Sequence, residues 1–234
     1  MSRILHLVDG SGYIFRAYHA LPPMTRPDGT PVNAIYGFTA MLLKLISDLK
    51  ADHLAVVFDS KRETFRNAIY PAYKAHRPPP PEDLVPQFPL IREAVAACQV
   101  ACLEKEGFEA DDLIATLATR AAADDWEVVV VSADKDLMQL VRPGIQLFDP
   151  MKNKPIDADA VREKFGVGPE KVIDVQALAG DSSDNVPGVP GIGVKTAAQL
   201  IETYGDLEAL LARATEITQP KRRQSLIDFA EQAR

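Results

Sequence analysis

Three short apolar runs in this chain each end at an aspartate. Ile4-Leu-His-Leu-Val8 leads into Asp9, Leu54-Ala-Val-Val-Phe58 into Asp59, and Glu127-Val-Val-Val-Val131 into Ser132-Ala-Asp134-Lys-Asp136. Continuous apolar runs bounded by turn residues read as strands buried on both faces. Helical patterns separate them, over residues 33–50 with Asn33 as a plausible cap, 87–97 and 109–123. A further short strand is expected at Val100–Leu103. Strands alternating with helices predict an α/β fold, with a mostly parallel central sheet flanked by helices. In such sheets ligands bind outside the carboxyl ends of the strands. One strand-end Asp is ordinarily a turn residue; three in succession are hard to explain by turns.

The stretch Gly107-Phe-Glu-Ala-Asp-Asp-Leu-Ile-Ala-Thr-Leu-Ala adds Glu109, Asp111 and Asp112 at the entrance to an apolar helix. Alone it reads as a capped helix start, because the dipole favours carboxylates there. Joined to Asp9, Asp59, Asp134 and Asp136, it makes a crevice whose carboxylates cannot all stay ionised without cations. Hard divalent ions with oxygen ligands, Mg²⁺ or Mn²⁺, are the natural partners. An EF-hand is excluded: after Asp134-Lys-Asp136 the chain has Gln139 where that loop needs Gly, and Ile145 where it needs Glu.

Net charge is −7, which at first argues against a nucleic-acid partner. Nine carboxylates are singled out as site candidates, and without them 24 of the 33 acidic residues remain against 26 basic ones. A metal-loaded acidic centre on a weakly basic body is compatible with a polyanionic substrate. With 234 residues and 47% hydrophobic content, the chain can build a core plus an appended lobe. No apolar run approaches a membrane span, and the N-terminus breaks to charge too early for a signal peptide. Cys98 and Cys102 lack a zinc pattern and read as buried small apolar residues of a reducing compartment.

Residues 61–77 hold Lys61, Arg62, Arg66, Lys74 and Arg77 against one acidic residue, with Phe65, Tyr70 and Tyr73 interleaved and Pro78–Pro81 following. This composition suits either a solvated face or a mobile element that holds phosphates and stacks bases. From about residue 157 strand signals stop. Helical patterns cover 157–165 and 169–179, before Gly180-Asp-Ser-Ser-Asp-Asn-Val-Pro-Gly-Val-Pro-Gly-Ile-Gly. Walker A fails because Val194 separates Gly193 from Lys195. The dinucleotide fingerprint fails at Thr196 and lacks a preceding strand. What remains is a helix–hairpin–helix at about 173–204. Its amides at Gly191, Gly193 and Val194, with Lys195, can face a phosphate without reading sequence. Asp181 and Asp184 sit in its loop. The chain ends inside a helical pattern, Arg222–Arg234, and reads as a fragment of a longer polypeptide.

These residues together resemble the 5′-nuclease (flap endonuclease) family. The matching motifs are Val8-Asp-Gly-Ser, Val57-Phe-Asp-Ser-Lys, Tyr73-Lys-Ala-His-Arg-Pro-Pro, Glu109-Ala-Asp-Asp, Ser132-Ala-Asp-Lys-Asp and the Gly180–Gly193 stretch. The resemblance spans essentially the whole length. It implies a nuclease core at 1–156, carrying a helical arch at about 61–85, and a helical DNA-binding lobe at 157–234. It implies two metal ions: Asp9, Asp59, Glu109, Asp111 and Asp134 around the first, with Asp112, Asp136, Asp181 and Asp184 completing the second. Lys74 would contact the scissile phosphate, with Arg66 and Arg77 as neighbouring phosphate contacts. Catalytic roles then fall to Asp9, Asp134, Lys74 and Arg66. Phe15, Arg16, Lys61, Tyr73, Gly191, Gly193, Lys195 and Thr196 match DNA-contacting positions. A K⁺ ion at the helix–hairpin–helix, 5′-flapped or RNA-primed DNA as partner, covalently attached polymerase domains, a monomeric state and a bacterial cytoplasmic location are further implications. Two rivals differ in class: a branched-DNA-binding module that does not cut, and a related metal-dependent ribonuclease.

Overall fold

Each strand-end aspartate lies at, or within three residues beyond, the carboxyl end of a neighbouring strand of one sheet. The structure, a computed structural model, describes residues 3–234. Its strands are β1 (Ile4–Asp9), β2 (His53–Val57), β3 (Ala101–Leu103), β4 (Glu127–Val131), β5 (Ile145–Asp149) and β6 (Lys154–Ile156), in the order β3-β2-β1-β4-β5-β6. The pairings from β3 through β5 are parallel. Asp9 pairs with Val57 and Val8 with Val131, so the carboxyl ends of β2, β1 and β4 are level. The chain runs outward from β1 through β2 to β3, then returns to the other side of β1. That reversal opens a crevice at the ends of β1 and β4. The sequence reading includes neither β5 nor β6. β6 is only three residues long and contains Pro155; β5 is as long as β2 and β4, but Gln146 breaks its apolar run.

The helices, in chain order, are α1 (Gly10–Ala20), α2 (Asn33–Leu49), α3 (Phe65–Ile69), α4 (Gln87–Ala97), α5 (Ala110–Ala123), α6 (Ala158–Phe165), α7 (Val172–Ala179), α8 (Val194–Tyr204), α9 (Leu207–Ala212), α10 (Pro220–Asp228) and α11 (Ala230–Ala233). The chain divides into two compact units. The first comprises residues 1–65, 78–137 and 143–155; the second comprises 66–77, 138–142 and 156–234. Residues 66–77, the middle of the expected arch, thus group with the C-terminal helices, whereas 78–85 group with the sheet.

In the first unit, α1, α2 and α4 bury Ile14, Phe38, Leu42, Ile91 and Val95 against Val8, Val56 and Val131. Leu7 and Val130 alternate to the opposite face, where α5 contributes Ile114 and Ala118. The apolar runs are continuous because both faces of the sheet are covered. Gly10 begins α1 where a Cβ would lie 2.4 Å from a Phe58 ring carbon and 2.8 Å from Val56 Cγ1, so only glycine lets α1 start this close to β2.

Asn33 does not cap α2. Its amide donates to the Tyr18 carbonyl at 3.1 Å and its oxygen accepts from Gln87 Nε2 at 2.9 Å. Gln87, fully buried, also donates to the Asp83 carbonyl and accepts from the Ile35 amide. Gln87→Leu keeps the volume but leaves three polar partners unsatisfied. We expect it to lower stability by about 3 kcal/mol, read as an earlier urea midpoint at unchanged slope. The cysteines are half-buried rather than buried; burial pushes the Cys102 thiol up.

In the second unit, α7 and α8 pack through Val175, Leu178, Ala197 and Ile201. Asp157 and Asp206 cap α6 and α9 through amides at 2.9 and 2.8 Å. The C-terminal pattern is interrupted at Phe229 between α10 and α11. Among the described residues, no helix is long and apolar enough to cross a membrane.

Candidate metal centre and nucleic-acid surface

Asp9 caps α1 as β1 ends. Its Oδ1 accepts from the Gly12 amide at 3.1 Å and its Oδ2 from the Ser132 hydroxyl at 3.0 Å. Asp59, one residue beyond Phe58, is held alike: Oδ1 accepts from the Ala110 amide at 2.7 Å and Oδ2 from the Ser11 hydroxyl at 2.6 Å. Ser132 Oγ also accepts the Asp134 amide at 3.0 Å, and Asp134 Oδ1 accepts the Asp136 amide at 2.9 Å. At the mouth of α5, Glu109 is buried and forms a capping box with Asp112, whose Oδ2 accepts the Glu109 amide at 2.9 Å. Asp111 lies in the same first turn, half-buried. One continuous hydrogen-bond network therefore joins Asp9, Ser132, Asp134 and Asp136, and a second joins Ser11, Asp59 and the start of α5.

The partners of Asp9, Asp59 and Asp134 are amides and hydroxyls, all neutral. Burial raises the Asp9 carboxyl above its ordinary range. The bonds from Gly12 and Ser132 oppose this, and the charges of Asp134 and Asp59 add to it. Neutral donors orient these oxygens without cancelling their charge, and each accepting oxygen can offer a second lone pair. An all-oxygen donor set of this kind fits a hard divalent cation.

Asp149 shows that a strand-end acid alone is not diagnostic. It ends β5, is buried, and accepts the Met151 and Lys152 amides at 2.8 and 3.2 Å, closing the turn to β6. Tyr13, beneath Asp9, is pushed up to about 12 by burial, with Asp9 and Asp149 adding to the shift, so it stays protonated. Ser11 and Ser132 were not among the expected site residues, although both lie inside motifs. Arg92 was also missed. It donates to the Asp59 carbonyl at 3.0 Å, pairs with Glu104 at 2.7 Å and covers the Phe58 ring. Phe15 and Arg16 are exposed on α1, and Lys61, also exposed, pairs with Glu106.

The remaining expected carboxylates, Asp181 and Asp184, belong to the second unit, so the set implied for the second metal divides between the units. Asp184 gathers the arch segment. It accepts the Tyr73 hydroxyl at 3.0 Å, pairs with Arg77, and has Lys74 Nζ at 3.7 Å. Its carbonyl accepts the Lys74 amide, and Asn185 donates to the Ala72 carbonyl at 2.7 Å. Lys74 and Asn185 both adopt left-handed backbone, φ 53° and 60°, uncommon for residues with a Cβ. Tyr73 is buried, with Lys74 and Arg66 over its ring. Its ring supports these cations while Asp184 takes its hydroxyl.

In the hairpin, Gly191 and Gly193 are exposed, with open space where a Cβ would project. Gly193 is the N-cap of α8, and its carbonyl takes both the Thr196 and Ala197 amides at 2.9 Å. First-turn amides of a helix have no acceptor within it, so α8 directs Val194 and Lys195 outward as an anion site requires. A groove of about 650 Å³ runs from Pro190 and Gly191 to Gln219, Lys221 and Arg222. The latter two cations lie outside the expected contacts.

A doubly wound sheet with carboxylates gathered at its switch point, in one chain with a helix–hairpin–helix, defines a nuclease-type architecture. The family comparison is specific. Residues 4–166 match the 5′-3′ exonuclease N-terminal resolvase-like domain and residues 167–234 the 5′-3′ exonuclease C-terminal SAM fold. The chain belongs to the 5′-3′ exonuclease family. It is 58% identical to DNA polymerase I of Rhizobium leguminosarum over 98% of this chain and 23% of that protein. It is 42% identical to a 5′-3′ exonuclease of Aquifex aeolicus over 89% of this chain and 72% of that protein. The chain thus spans about a quarter of the length of its DNA polymerase I relatives. Among solved structures, the T5 D15 protein co-crystallised with metal ions superposes with TM-score 0.84 at 23% identity, over 99% of this chain and 86% of that one. The fold is therefore shared.

Proposed function

We propose that this chain is a structure-specific 5′ nuclease that hydrolyses phosphodiester bonds of DNA at 5′ flaps, 5′ ends and RNA primers, with two divalent ions, Mg²⁺ or Mn²⁺. The observation that carries the reading is the set of strand-end carboxylates with only neutral partners at the sheet's switch point. Asp9, Asp59, Glu109, Asp111 and Asp134 would hold one ion; Asp112, Asp136, Asp181 and Asp184 would hold the other. When bound, such ions lower the pKa of water and stabilise a leaving oxygen.

The chain's own residues do the positioning. Ser132 and Ser11 fix the carboxylate rotamers. Lys74 and Arg77 would exchange Asp184 for phosphate oxygens, Lys74 neutralising charge that develops at the scissile phosphate, with Arg66 beside it. Phe15 and Arg16 would meet the DNA near the cut. Gly191, Gly193, Lys195 and Thr196 would grip duplex backbone, with K⁺ held by hairpin carbonyls. The products would be a 5′-phosphate and a 3′-hydroxyl. We place this monomeric activity in replication and repair in the bacterial cytoplasm, attached to polymerase domains as in the longer relatives.

A 5′-end-labelled flap duplex and its blunt counterpart, incubated with Mg²⁺ and with chelator, test the reading. Metal-dependent cutting near the junction is expected, with less on the blunt duplex. Asp134→Asn should bind the flap and not cut it. Binding without cutting by the parent chain in Mg²⁺ would favour a non-cutting branched-DNA module, and preference for RNA strands alone would favour a ribonuclease.

A further inference from the structure

Outside the carboxylates, the first unit displays an aromatic pair to which the proposed function assigns no role. Phe65 and Phe108 meet with ring centroids 5.7 Å apart and planes at 51°, yet remain 42% and 36% exposed. Two large aromatic side chains left partly in water forgo much of the burial that usually positions them. Backbone positions this pair instead. The Phe65 amide donates to the Gly107 carbonyl at 3.1 Å, Thr64 and Gly107 form a parallel bridge, and Ser60 donates to the Lys105 carbonyl at 3.0 Å. Lys61 and Glu106 pair across the same two strands of chain. Lys105 Nζ lies 4.6 Å from the Phe108 centroid.

This platform is coupled to the candidate metal centre. Phe108 directly precedes buried Glu109, and the segment leading to Phe65 leaves Asp59, whose carboxylate is bonded to the Ala110 amide. A rigid, half-exposed aromatic surface with a cation on one ring, one residue from a metal carboxylate, suits a planar π ligand carrying negative charge. An unpaired nucleotide has that chemistry: its base stacks on the rings while its phosphate pairs with the displaced ammonium.

We propose that Phe65 and Phe108 form a stacking platform for one unpaired nucleobase beside the scissile phosphate, with Lys105 passing from the Phe108 ring to that nucleotide's phosphate. This rests on the 5′-nuclease reading and adds a specificity-determining subsite to it. Stacking tolerates any base, so the platform selects for an unpaired nucleotide and not for sequence.

The test uses flap duplexes carrying a single 2-aminopurine at successive unpaired positions next to the junction, bound to the full chain in Ca²⁺. One position should change fluorescence on binding. Phe108→Leu should abolish that change and weaken flap binding about tenfold, while binding to fully paired duplex stays at the parent level. Phe108→Trp should restore the signal, and circular dichroism melts exclude a folding defect. Lys105→Gln should weaken flap binding in a salt-dependent way, with a smaller salt slope than the parent. Normal fluorescence change and flap affinity in Phe108→Leu and in Phe65→Leu, in a chain that cuts flaps normally, would overturn the platform and leave the nuclease reading intact. A parent chain that neither binds nor cuts any flap would overturn both.

Discussion

Asp9→Asn is expected to reduce flap cleavage by at least about 10³-fold and, in chelator at pH 7, to raise the melting temperature by about 2–4 °C. The two effects share one cause. Asp9 is half-buried; burial raises its folded pKa above the ordinary 3.8, and the like charges of Asp134 and Asp59 add to this. A carboxyl raised in this way binds more protons folded than unfolded. Its favourable contribution is complete below the unfolded pKa and is lost as pH rises through the folded value. Asn keeps an acceptor for the Gly12 amide and can donate to Ser132, and it has no charge to bury. The variant's advantage should therefore be absent near pH 3 and grow toward neutrality, by about 1 kcal/mol. Calorimetric melts across pH, with and without Mg²⁺, check this. Added Mg²⁺ should stabilise the parent more than the variant. Undiminished cleavage would remove Asp9 from the metal centre; equal melting temperatures at pH 7 in chelator would mean that its charge costs the metal-free fold nothing.

Gly180→Ala should destabilise the helical unit by about 3 kcal/mol or more and suppress cleavage with it. Gly180 has φ +71°, and a Cβ there would lie 2.2 Å from the Gly188 nitrogen and 2.5 Å from the Val186 carbonyl oxygen. Every clashing atom is backbone, so no side chain can yield. Gly188 is locked reciprocally: a Cβ there would lie 2.3 Å from the Ala179 carbonyl carbon and 2.3 Å from the Gly180 nitrogen. These two glycines let the end of α7 lie against the loop that carries Asp181 and Asp184. Gly191→Ala is the internal control. Its φ is +80°, but nothing lies within 4 Å of the added carbon, so it should cost only about 1–2 kcal/mol. Guanidinium unfolding of both variants, followed by circular dichroism, compares them. Equal losses would mean that conformation, and not the close approach, sets the requirement at Gly180.

Much of the candidate centre was legible in the sequence because the strands that carry it are buried on both faces. That burial writes continuous apolar runs whose ends are easy to find, and Asp9, Asp59 and Asp134 stand at those ends. Residues whose roles depend on distant partners were not legible. Asn33 has the composition of a cap, but Gln87, 54 residues away, takes its side chain. Nothing local to Tyr73 shows that Asp184, 111 residues away, takes its hydroxyl. Ser11 and Ser132 look like turn serines until Asp59 and Asp9 are brought to them. Gln146 breaks the apolar run of β5, and β6 is only three residues long.

The sequence by itself determined the alternation of strands and helices, the carboxylates at the strand ends and the glycine-rich hairpin. Side-chain periodicity and backbone freedom are set within a few residues, so these can be read along the chain. Only the tertiary structure decided that β1 lies between β2 and β4, and so that the acids share one crevice. It also decided which donors hold each carboxylate, that Asp184 anchors the arch segment, and that Phe65 meets Phe108. The deciding hydrogen bonds at the crevice join residues 48, 51 and 123 positions apart. Strand register and loop closure select such partners, and no local pattern encodes them.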